Sequence, residues 1–346
     1  MKRIVFIVIL LSVFCIPVSA VEMQAPEPPA SSQEYMPKEP QSFTEGLQIV
    51  LKNATEKLLP SIAEASGVCV CVIAAVMFCS IMQGFSVNVK TPLNIVASIT
   101  VGILLLKPSG SMLQMGVDAV TDMIEYGNLL LPVMTGAMAA QGGTTTAGAL
   151  YTATMLFGSV LSTAVSKLIV PMIYVYVCLI IACSAVGQDH LTELQKFVKW
   201  LITWLLKTVL YVFIGYIGIT GAVSGSVDAA AVKATKLTLS GMIPVVGSII
   251  SDASETILVS AGVVKLSVRV YGMLVIISVL IGPFLHIGVQ YLLLKITGSI
   301  CAMFGVKSTS RLIVDFSGAM GIVLGMSGTA ALIMIVSIMC FMKGIG

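Results

Sequence analysis

Residues 66–85 read SGVCVCVIAAVMFCSIMQGF, twenty positions without a charge. A helix rises about 1.5 Å per residue, so about 20 apolar residues cross the ~30 Å hydrocarbon core of a bilayer. The stretch has that length and nothing in it that water would hold. Working outward, further apolar runs follow to the end of the chain. Hydrophobic residues make up 57% of the 346 and charged residues 10%, and mean hydropathy is +1.04. A soluble domain carries about 25% charged residues. Few stretches alternate polar and apolar with a strand period. The fold class is therefore all-α: a polytopic transmembrane helical bundle. The formal net charge of +3 is small and dispersed, which argues against nucleic acid as a partner and leaves membrane lipid as the surrounding medium.

The N-terminus reads as an address. Lys2 and Arg3 precede IVFIVILLSVFCIP, and Val18-Ser19-Ala20 follows, the order of a secretory signal peptide over 1–20. An uncleaved anchor is the alternative. Residues 21–45 are rich in proline and acids and have little to bury, so they are expected as a disordered extracytoplasmic tail, which puts the mature N-terminus outside the cytoplasm. Residues 46–65 place Leu47, Val50, Leu51, Ala54, Leu58 and Leu59 roughly on one helical face, an amphipathic helix lying on the membrane or against the bundle.

Residues 66–346 form the multi-pass domain. After the opening stretch comes a loop with Lys90 and a shorter span ending before Lys107. Residues 109–127 carry Asp118, Asp122 and Glu125 at helical spacing, an amphipathic helix with an acidic side. LLLPVMTGAMAA, from 129, is too short to span. The block 149–187 is long enough for a helical hairpin, with Lys167 and Pro171 in its middle, and a further span covers about 198–220. The ambiguous short segments leave six to eight spans.

Residues 221–252 break the pattern: GAVSGSVDAAAVKATKLTLSGMIPVVGSIISD. An Asp or Lys costs about +2.5 to +3.5 kcal/mol at the centre of a spanning helix, whereas a Leu returns only about −0.3 to −0.6. Asp228, Lys233 and Lys236 are thus expected away from lipid, in water, in a protein-lined cavity or along the interface. With Gly221, Gly225, Pro244 and Asp252 they form a candidate path-lining or partner-docking connector. Pro132 and Pro171 are 39 residues apart, as are Pro244 and Pro283, and the pairs are offset by 112. This suggests an internal duplication, 125–220 and 237–332, with short broken helices at matching places, the arrangement that marks a transporter's central path. Independent recurrence of proline in membrane helices is the alternative.

Motifs for chemistry are sparse. GMSG at Gly325–Gly328 fits the GxSG string of rhomboid-type intramembrane proteases, with Ser327 as nucleophile, but that family's histidine follows its serine, and here His286 precedes it. The same residues fit a helix-packing face, Gly318, Gly321, Gly325 and Gly328. The Cys69–Cys71 pair has no second Cys/His cluster to complete a metal site. No P-loop, HExxH or Rossmann glycine string occurs. The reading is a non-enzyme with no cofactor and no assigned catalytic or metal-binding residue. Ionisable residues in or beside the apolar part are functional suspects: the connector set, Glu255, Lys265, Arg269, Lys295 and Asp315.

The leader, the Pro/Glu-rich tail, the many spans and the connector SGSVDAAAVKATKLTLSGMIPVVGSIISDASETIL resemble the stage III sporulation protein AE family of endospore formers. The matching elements are Ser224 to Asp228, the Lys233/Lys236 pair, Ile243 to Gly247, and Ser251-Asp252. The resemblance implies a multi-pass protein of the mother-cell membrane around the forespore, a platform or conduit in a secretion-like channel complex. It implies other stage III membrane proteins as partners, among them a cytoplasmic ATPase and ring-forming proteins. The alternatives are a stand-alone secondary transporter of a small solute and, further off, an intramembrane serine protease.

Overall fold

The computed structural model describes residues 25–37, 42–85, 90–140, 143–186, 189–242 and 247–342. The expected leader and Pro244 lie outside these residues, as do the side chains of 220–267. The helices are α1 Ala30–Gln33, α2 Phe43–Glu56, α3 Leu58–Phe85, α4 Lys90–Ala140, α5 Thr144–Ala164, α6 Val170–Val186, α7 Asp189–Met242, α8 Gly247–Met303 and α9 Lys307–Met342. A π-helical turn, Val165–Ile169, joins α5 to α6. No strand occurs among the described residues. Six helical stretches are long and apolar enough to cross a membrane: Ala65–Gly84, Pro92–Ala139, Thr144–Val186, Leu191–Ile219, Val270–Met303 and Lys307–Phe341. The chain is a multi-pass membrane protein.

Several segments that read as separate are single helices. The short span before Lys107, the acidic helix and LLLPVMTGAMAA all belong to α4, which runs 51 residues through Pro108 and Pro132. A proline removes one intrahelical hydrogen bond, but inside a bundle neighbouring helices hold the backbone in line. Here Leu130, Leu131, Met134 and Met138 around Pro132 are buried in the core. The expected hairpin over 149–187 is likewise one helical path, Thr144–Val186. Pro171 has no N–H for the carbonyl one turn back, and the π-turn directly before it widens the ladder: Val170 N–H reaches Val165 O. The glycine-rich connector is helical too. The α7 backbone continues through Gly221, Gly225, Asp228, Lys233 and Lys236 to Met242, and α8 begins before Asp252.

These helices are long. At about 1.5 Å per residue, α4, α7 and α8 measure about 75–85 Å, roughly twice the 40–45 Å of a whole bilayer. The central element is α9, which packs most extensively on α8 and α4 and also meets α5, α6 and α7. Its Phe316, Val323, Met326 and Phe341 are completely buried. The turn from α8 into α9 closes on Gly305 with φ +81°, a left-handed backbone that suits glycine; Gly305 N donates to Ala302 O at 3.2 Å.

The N-terminal arm packs on the bundle. Ser42 caps α2, its Oγ accepting from Glu45 N at 3.2 Å. Val50 and Ala54 of α2 seat on Ile277, Ile281 and Leu285 of α8, while Leu51, expected on the same face, is exposed. Residues 25–37, expected as part of a disordered tail, are also placed. Ser32 and Tyr35 are buried, Asn53 Nδ2 donates to Tyr35 O at 3.2 Å, Lys57 pairs with Glu34, and Ser31 Oγ donates to Asp122. Tyr35 and Met36 anchor the tail, and α8 offers Tyr35 room at Gly282, where a side chain's Cβ would lie 3.0 Å from the ring.

Candidate functional site

The connector residues singled out above lie on two helices. Asp228 is 39 residues into α7, about 58 Å from its start and beyond the stretch Leu191–Ile219 that can span. The side chains of Asp228, Lys233, Lys236 and Asp252 lie outside the described residues, and so does Pro244.

A serine cluster and two polar-lined cavities lie along α9. At its start, the buried Ser98 of α4 and Ser184 of α6 form a hydroxyl cluster with the half-buried Ser308 of α9. Ser98 Oγ lies 2.8 Å from Ser184 Oγ, Ser308 Oγ donates to Ser184 O at 2.6 Å, and Ser98 Oγ to the same carbonyl at 3.2 Å. Beside it a cavity of about 220 Å³ is lined by Cys183, Thr192, Lys307, Arg311 and Asp315 among others, with Arg311 Nε 3.9 Å from Asp315 Oδ2.

A second cavity, about 350 Å³, follows between α7, α8 and α9. Lys199, Thr203 and Lys207 of α7 line it at successive turns, opposite Tyr291 of α8 and Gly318, Gly321 and Gly325 of α9. From Ser308 to Thr329 the two cavities cover about 32 Å of α9, close to the thickness of a hydrocarbon core. A Cβ on Gly318 would meet Lys199 Nζ at 3.1 Å and Tyr176 Oη at 3.3 Å, so the bare glycine leaves room for both, and of the two it is Lys199 that lines the cavity. Tyr176 is 1% exposed and its hydroxyl completes no hydrogen bond; the Gln195 side chain is a polar neighbour. Lys295 Nζ donates to Tyr291 Oη at 3.3 Å.

The stripe Gly318, Gly321, Gly325 and Gly328 was expected to let a helix approach closely. Instead, Gly325 and Gly328 have open space where a Cβ would stand, and Gly318 and Gly321 meet only side-chain ends. Close approach occurs elsewhere. A Cβ on Gly116 of α4 would lie 2.3 Å from Val323 Cγ1, and one on Gly298 of α8 would lie 2.6 Å from Val314 Cγ2 and 3.3 Å from Ser310 O. Periodic small residues define a thin helix face but do not say whether a helix or a void lies against it.

Ser327 is completely buried and donates to Val323 O at 3.1 Å, while His286 Nδ1 lies 2.9 Å from Gly282 O. Of the ionisable suspects, Asp315 lines the first cavity and Lys295 borders the second. Lys199, Lys207, Arg311 and Tyr176 were missed. The legible signal was Lys199-x3-Thr203-x3-Lys207, a polar stripe on an otherwise apolar helix, obscured because Lys199 follows the polar run QDHLTELQK.

The family described as Stage III sporulation protein AE matches residues 34–344. The chain is similar to the stage III sporulation protein AE of Bacillus subtilis (strain 168), 21% identical over 188 residues, which cover 54% of this chain and 47% of that protein. The match thus spans about half the relative's length. No solved structure matches the chain. Since the family match takes in α2 through α9, with both cavities and the connector, this chain belongs to the stage III sporulation protein AE family.

Proposed function

We propose that this protein is an integral membrane component of a secretion-like complex linking mother cell and forespore, a platform or part of a conduit needed for spore development. In this reading it sits in the mother-cell membrane facing the forespore, with its N-terminus extracytoplasmic. Its partners are other stage III sporulation membrane proteins, including a cytoplasmic ATPase and ring-forming proteins. Besides family membership, the observation that carries the reading is helix length. A bundle whose helices reach about 75–85 Å passes well beyond a ~30 Å hydrocarbon core, and the excess offers neighbours a surface. The connector belongs to that excess, with Asp228, Lys233 and Lys236 on the far part of α7. Beyond the stretch that can span, a charged segment needs no lipid contact and suits a partner or a path.

The test is spore yield in strains carrying Asp228→Ala, Lys233→Ala or Lys236→Ala, with membrane fractionation to show that each variant inserts. Loss of heat-resistant spores, by about tenfold or more in at least one variant at normal membrane levels, is expected. Normal yield in all three would reduce the connector to an ordinary helical extension.

A further inference from the structure

We propose that the cavity between α7, α8 and α9 is a binding site for the phosphate headgroup of an anionic phospholipid, entered from the side of the bundle. This assignment is independent of the sporulation reading above.

Charge is the first ground. Lys199 and Lys207 line the cavity, and Lys295 stands one turn along α8 from its Tyr291. Among the described residues the ion pairs are Lys57–Glu34, Lys196–Glu193 and Arg311–Asp315, so neither Lys199 nor Lys207 has a carboxylate. Two ammonium groups on a spanning helix, neither paired with a carboxylate among the described residues, suit an anionic ligand. Lysines also snorkel to the interface, but Lys199 does more than that: its Nζ lies over Gly318, on the glycine floor of the cavity. The ammonium groups of Lys199 and Lys207, with the Thr203 hydroxyl between them on the same lining, form a donor set for phosphate oxygens. Gly318, Gly321 and Gly325 keep the floor clear, and 350 Å³ is at the small end of the range for ligand cavities.

The exposed residues near in sequence to the lining indicate the source of the phosphate. Trp200 and Trp204 are 57% and 48% exposed and stacked with centroids 6.2 Å apart, and Leu292 and Ile296 on α8 are 57% and 55% exposed. Indole rings stacked on the outside of a spanning helix suit the headgroup level of a bilayer, and the apolar flanks suit acyl chains. Basic pockets between transmembrane helices are where anionic headgroups bind. A soluble phosphate would gain nothing from such apolar and aromatic neighbours.

The chain's only two tryptophans are therefore reporters beside the site. The experiment reconstitutes the full chain in phosphatidylcholine vesicles in which either phosphatidylglycerol or phosphatidylcholine carries brominated acyl chains, and follows the quenching of tryptophan fluorescence. Brominated phosphatidylglycerol is expected to quench at a mole fraction at least about fivefold lower than brominated phosphatidylcholine. Lys199→Gln combined with Lys207→Gln removes the difference, and the paired Arg variants keep it. Gly325→Leu, whose Cβ would meet nothing within 4 Å and whose side chain would fill the cavity lining, also removes it, and so covers the case in which the Gln pair does not fold. Equal quenching by the two lipids overturns the proposal. So does relief of the phosphatidylglycerol effect by millimolar inorganic phosphate, which would mark a site for a soluble anion.

Discussion

The two sides of α9 differ. Toward α4 the contact is dry and close: Val323, Met326 and Ser327 lie against Gly116, and Met334 against Gly127. Toward α7 the same helix turns its glycines to an open cleft, lined also by lysines, threonines and Tyr291. Lipid tails are as apolar as leucine, so helices in a bilayer gain little from hydrophobicity and associate through packing and hydrogen bonds. The α4 side has the packing. The α7 side gives it up, as expected of a face that has something else to hold.

Substitutions along α9 and its neighbours test this contrast. The largest effect is expected from Gly116→Ala, whose Cβ would stand 2.3 Å from Val323 Cγ1. Overpacking of this kind costs about 1–3 kcal/mol, read as a lower unfolding midpoint in detergent. Adding Val323→Ala should recover part of the loss, and no recovery would mean that the two helices do not meet there. Next comes Ser184→Ala, which removes the hydroxyl that meets Ser98 Oγ at 2.8 Å and Ser308 O at 3.1 Å. Hydrogen bonds between membrane helices are worth about 0.6–2 kcal/mol, so a loss of about 1 kcal/mol is expected, with Ser184→Thr milder than Ser184→Ala. The smallest effect belongs to Gly325→Ala and Gly328→Ala, where a Cβ meets nothing within 4 Å. Stability within about 0.5 kcal/mol of the parent, or slightly higher through helix propensity, is the expected outcome. A loss as large as that of Gly116→Ala would remove the contrast between the two sides.

The bundle was legible from local chemistry, and its long-range joins were not. Val50 and Ala54 read as one face of an amphipathic helix and do seat together, but Leu51 beside them stays exposed, because α8 covers a narrower strip than the apolar pattern offers. Pro132 and Pro171 read as breaks. Whether a proline ends a helix depends on the neighbours that hold its backbone, and buried leucines and methionines around Pro132 carry α4 through it. Asp315 and Lys295 were visible as charges in an oily setting. Tyr176 was not, since a tyrosine in an apolar run gives no sign of where its hydroxyl ends.

The sequence alone determined the medium and the element type. Burial in lipid demands that each backbone polar group be satisfied within its own helix, and runs of about 20 uncharged residues leave no other solution. Only the tertiary structure decided which face of α9 is a contact and which a cleft. Glycines at a spacing of three or four remove side chains from a helix face equally on both sides, and what fills the space depends on the crossing of helices distant in sequence.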